Sequence, residues 1–139
     1  MIYLEINGQI KNKKAIYVYL ENLSRSLNIH RLRSKAIFVR FSKELDDGNQ
    51  GNCWGDRKEG YITINIAKTC EGEPYSTAEV MQTLAHEMVH AKQYLRGELD
   101  GYSGSWKGRK PRNYKYLNQP WEIEAYGREE YLFGTCWSH

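Results

Sequence analysis

The chain has 139 residues, 40% hydrophobic and 27% charged, with a formal net charge of +3. That length fits one domain over residues 1–139 with a single core, and the hydrophobic content excludes a disordered chain. So small a net charge does not by itself argue for nucleic acid, the three cysteines form neither a CxxC pair nor a disulfide framework, and no apolar run approaches the roughly 20 residues of a membrane helix.

"MIYLEIN" alternates and opens the chain as a strand. The lysines that follow come in the wrong order for a signal peptide, so a cytoplasmic protein is expected. Ile16, Tyr19, Leu20, Leu23 and Leu27 recur at helical spacing and predict a first helix from Lys13 to Leu27. "AIFVRFS" is β-branched and aromatic, hence a strand. "DDGNQGNCWGD" reads as a turn region. "GYITINIAK" is the clearest strand, with Ile62, Ile64 and Ile66 on one face and Thr63 and Asn65 on the other.

Ser76 and Glu79 form a capping-box signature that opens a helix from Thr77 to Leu95, closed by Gly97. Residues 97–119 are loop-rich, and Pro120 begins a last helix with acids near its start, where the dipole favours them. The tail "GTCWSH" carries no assignment. The order predicts an α+β fold with a small, mainly antiparallel sheet covered by helices on one side.

The second helix carries the chemistry. Its Met81, Leu84, Ala85, Met88 and Leu95 gather on one stripe, which Lys92 interrupts. His86 and His90 lie one turn apart, close to the opposite side, so both rings can reach one ion, and Glu87 flanks them. This is the HExxH arrangement: two neutral imidazoles bind Zn²⁺, the ion brings the pKa of its water to about 7, and the adjacent carboxylate handles the proton.

A third ligand is needed. The segment after His90 reads "AKQYLRG" and lacks the histidine of the metzincin pattern; His139 and His30 lie far off in sequence. The remaining source is a carboxylate of "PWEIEAYGREE", where Glu122 and Glu124 compete, about 200° apart around a helix. "HEMVHAKQ" followed by "PWEIEA" resembles the gluzincin clan of zinc metallopeptidases, in which a glutamate from a helix downstream of HExxH completes the site, often within Glu-x-x-Ala. The resemblance covers residues 76–133. It implies a minimal zincin-like metallopeptidase fold, His86, His90 and Glu122 as zinc ligands, Glu87 as general base, and a peptide or protein substrate. Many members carry Asp or Asn after the alanine, oriented toward a ligand histidine; this chain has Tyr126 there.

Tyr126, Tyr114, Tyr116 and His139 are candidates to stabilise an oxyanion. "GYITINIAK" is a candidate substrate-binding strand, or else a central strand without that role. In the loop 102–116, Lys107, Arg109, Lys110, Arg112 and Lys115 interleave with Trp106, Tyr114 and Tyr116, and no acid occurs. That pattern suits an acidic substrate or a nucleic-acid partner. The alternative function is therefore a zinc-stabilised or degenerate-peptidase binding module that engages nucleic acid or a protein partner through this loop; a closed structural zinc site would need a fourth ligand such as His139 or Cys136.

Overall fold

The computed structural model describes residues 1–112 and 114–138. The chain runs through β1 (Tyr3–Asn7), α1 (Lys13–Ser26), β2 (Ala36–Ser42), β3 (Gly51–Asp56) and β4 (Tyr61–Ala67). A small hairpin of β5 (Thr69–Cys70) and β6 (Glu73–Pro74) leads into α2 (Thr77–Leu95). A long loop with one 3-10 turn (Tyr116–Asn118) then reaches α3 (Pro120–Cys136). The fold is α+β, a small sheet packed against helices, as expected, and the sheet is mixed. No helix among the described residues is long and apolar enough to cross a membrane.

Strand direction differs from the expectation. The sheet order is β1-β2-β4-β3, and only β3 runs antiparallel to its neighbour; β1 with β2 and β2 with β4 are parallel. The cause is connectivity: α1 is the crossover that returns the chain to the start of β2, and β4 comes back between β2 and β3. Parallel sheets are usually covered on both faces, antiparallel ones often on one. Here only one face is covered. Ile37, Val39, Phe41, Ile62, Ile64 and Ile66 are buried with Leu20 and Leu23 of α1 and Leu84 and Met88 of α2, while Arg40 on the other face is exposed. Each such isoleucine contributes about 1.5–3 kcal/mol by burial.

The region read as a turn contains edge strand β3. Its glycines are there for close approach. A Cβ on Gly51 would lie 2.8 Å from Thr83 Cγ2 and 3.1 Å from Glu87 Oε2, and one on Gly55 would lie 2.0 Å from Ile62 Cδ1. Pairing with β4 and packing under α2 thus override a sequence poor in strand formers.

α2 begins where expected, with the reciprocal Ser76–Glu79 capping box formed. α3 extends through residues left unassigned, as far as Cys136. The fully buried Ala125 lets α3 lie close on α2. Lys92 is buried without penalty to the pattern, because Glu98 and Glu124 each accept from its amine at 2.7 Å. That pair of bonds ties α2 to α3 and to the loop leaving α2.

Candidate metal centre

α2 presents His86 and His90 one turn apart, and the first turn of α3 presents Glu122 to both. His86 Nε2 lies 2.9 Å and His90 Nε2 3.1 Å from Glu122 Oε1. The three ligand atoms all lie within 4.8 Å of one another, a group that could hold a metal ion. Relative exposure is 7%, 7% and 9%, so water screens these groups little.

The other ring nitrogens decide what the cluster needs. His86 Nδ1 faces Glu129 Oε1 at 3.2 Å, and Gln82 Nε2 donates to the other oxygen of Glu129. His90 Nδ1 faces Gln93 Oε1 at 2.7 Å. The Gln93 amide is oriented by its own donations to the Trp121 carbonyl and to Glu124, both at 2.9 Å. Each Nδ1 therefore meets an acceptor and must carry the proton. In the neutral imidazole that leaves Nε2 as a bare lone pair. Two such lone pairs converge on a carboxylate oxygen, an arrangement that requires a cation or one extra proton per ring.

The titration directions agree. Burial pulls both imidazoles down, but the hydrogen bond each donates to Glu122 and the charges of Glu87 and Glu122 outweigh it and leave them raised. Burial likewise works to raise Glu122, but both imidazoles outweigh it and hold the carboxyl down to about 2. Protons and a metal ion would compete for the same nitrogens. Two imidazoles and one carboxylate suit a first-row divalent ion. Tetrahedral bonds of about 2.0–2.1 Å put ligand atoms about 3.3 Å apart, a few tenths of an ångström wider than the two contacts measured.

Glu87 lies beside this cluster, buried, and burial raises its carboxyl to about 7 against the opposing pull of His90 and His86. A cavity of about 210 Å³ opens here, lined by the ligands, Glu87, Gly51, Cys53 and Tyr116 among others. A carboxyl near 7 can both accept and release a proton at neutral pH.

Glu124 does not join the group. Lys92 at 2.7 Å, Gln93 at 2.9 Å and Arg128 at 3.2 Å occupy it, and they hold it below the usual carboxylate range against burial. Cys136 is buried at the far end of α3, 3.4 Å from Ser26 Oγ and about 21 Å along the helix from Glu122. His139 lies outside the described residues. Among the tyrosines, Tyr116 lines the cavity, and its hydroxyl lies 3.3 Å from that of Tyr126, whose ring sits 4.5 Å from His86. Tyr114 instead packs edge-on against Trp121. β4 is central, paired on both sides; the edge strand beside the cavity is β3.

Sequence reasoning gave no role to Glu129, Gln93 or Gln82. Their signal was helical spacing: Gln93 follows His90 by three residues, and Glu129 follows Glu122 by seven. Glu129 contacts His86, the role that the resemblance gives to the residue at Tyr126. The loop cations Lys107, Arg109, Lys110, Arg112 and Lys115 are exposed, with Lys107 over the Trp106 ring at 5.3 Å. Compared with protein-family models, curated proteins and solved structures, the chain matches none of them.

Proposed function

We propose that this chain is a small zinc-dependent metallopeptidase of gluzincin type, with a minimal zincin-like fold. One observation carries the reading. Three ligand atoms from α2 and α3 converge, with both Nδ1 positions tied to acceptors, and a buried carboxylate stands next to them. His86, His90 and Glu122 hold the ion. Zinc, when bound, supplies Lewis acidity, polarising a carbonyl and making water a nucleophile near pH 7.

Glu87 takes the proton from the attacking water and returns it to the leaving amine. Glu129 and Gln93 keep the imidazole rings aimed. Tyr116, which lines the cavity, donates to a developing oxyanion. The outer edge of β3, next to Glu87, receives an extended peptide by strand addition.

The test is Glu87→Gln, which keeps shape and removes the base. Zinc content should stay at the parent level while hydrolysis of a casein or peptide-library substrate falls at least about a hundredfold. Hydrolysis equal to the parent would remove Glu87 from the mechanism.

The exposed basic stretch from Lys107 to Lys115 favours a second reading, a module that engages nucleic acid or an acidic protein. Salt-dependent nucleic-acid binding that survives zinc removal, in a chain without hydrolytic activity, would select it.

A further inference from the structure

A cavity larger than the one at the metal centre lies elsewhere in the molecule. It measures about 1090 Å³ and lies between the start of α1, the β5–β6 hairpin, the first turns of α2 and the end of α3. It shares no lining residue with the metal cavity. Lys11, Lys13, Lys43 and Lys68 line it, and no acidic residue does. Across the whole chain basic residues barely outnumber acidic ones, 20 to 17, so charge is segregated here. Among the described residues none of these four lysines forms an ion pair, and the Lys68 amine donates to the neutral Gln9 carbonyl.

Beneath the lysines the wall is apolar. Ile10, Tyr75 and Trp137, each partly buried, offer its apolar surface, backed by Ile16, Val80 and Met81 of the buried core. Cations facing a common space repel one another, and an anion seated among them relieves that. An apolar wall of this kind adds affinity only for a ligand with an apolar body. The volume is at the upper end of small-molecule sites, roughly 300–1,000 Å³. The positive end of α1 opens on the same space and carries no acid in its first turn.

We propose that this cavity binds an anionic amphiphile: a molecule with an apolar chain and a phosphate or carboxylate head, the head among the lysines and the chain against Ile10, Tyr75 and Trp137, over the buried Met81. The site stands independently of the metal centre and of the peptidase reading.

The chain has three methionines, and only Met81 lines the cavity; Met88 is buried elsewhere in the core and Met1 is exposed. Methyl-¹³C-methionine NMR of the full chain therefore reports the site directly. The probe is octyl phosphate, kept below its micelle-forming concentration, beside 1-octanol and inorganic phosphate. Octyl phosphate should move the Met81 methyl along a saturable curve and leave Met88 and Met1 in place. Octanol and phosphate should each bind at least tenfold more weakly.

A Lys11→Glu, Lys43→Glu double variant changes two exposed side chains and should keep the parent melting temperature. It should lose at least tenfold in octyl phosphate affinity, whereas His86→Ala should bind it as the parent does. A stationary Met81, equal binding of octanol or of phosphate, or an unaffected double variant would overturn the proposal. So would binding of anionic phospholipid vesicles without any response to monomeric octyl phosphate.

Discussion

Gln93→Leu tests whether the ring orientation of His90 is built in or incidental. The Gln93 side chain is fully buried and makes three hydrogen bonds: one from His90 Nδ1 at 2.7 Å, and one each to the Trp121 carbonyl and Glu124 at 2.9 Å. Leucine has similar volume, so the cavity term is small and the polar term dominates. The change strands the Nδ1 proton of His90; the Trp121 carbonyl keeps its helical bond within α3, and Glu124 keeps Lys92 and Arg128. One stranded donor gives a loss of about 1–3 kcal/mol in the metal-free chain. Removing the partner that orients a ligand histidine weakens metal binding by about 10–100-fold. Urea unfolding of the metal-free chain measures the first quantity, and competition against a chromophoric chelator measures the second. If zinc affinity stays within about threefold of the parent while stability falls, Gln93 supports the fold alone and the account of a pre-oriented His90 is wrong.

Gly51→Ala places a methyl 2.8 Å from Thr83 Cγ2 and 3.1 Å from Glu87 Oε2. It should cost about 1–3 kcal/mol by overpacking, seen as a lowered urea midpoint, and reduce hydrolysis while zinc is retained. The metal-free chain should also show a pH window. Glu122 falls from 4.5 to about 2 on folding, so its contribution is complete above pH 4.5 and is lost as pH drops toward 2. The two imidazoles are raised above 6.5, so theirs is complete below pH 6.5 and is lost as pH rises through the folded values. The stability difference between the parent and Glu122→Gln, from urea melts across pH 3 to 9, should peak at about pH 4.5–6.5 and shrink on both sides. A flat difference would mean that the carboxylate–imidazole cluster does not form without metal.

Much of the fold was legible because it depends on local patterns. The capping box at Ser76 and Glu79 fixed the start of α2, and the apolar spacing from Ile16 to Leu23 fixed α1. Strand direction was not legible, since the alternation at Ile62, Ile64 and Ile66 is the same for either neighbour orientation. β3 was missed because its glycines answer to residues outside the segment: Gly51 to Thr83 and Glu87, remote in sequence, and Gly55 to Ile62 of the paired strand.

The site divides in the same way. His86 and His90 lie on one face of one helix, so their partnership follows from spacing. Choosing between Glu122 and Glu124 depends on Lys92, whose position on an apolar stripe made sense only once both helices were placed. The amides and carboxylate behind the rings were hidden for a related reason: which side of α3 faces α2 is set by packing at Ala125.

The central claim is that His86, His90 and Glu122 together hold one zinc ion. Elemental analysis of the purified chain beside His86→Ala, Glu122→Ala and Glu124→Ala tests it most directly. One equivalent of zinc is expected in the parent and in Glu124→Ala, and none in the other two. Zinc retained by Glu122→Ala, or a folded parent that takes up no zinc when it is offered, would contradict the account.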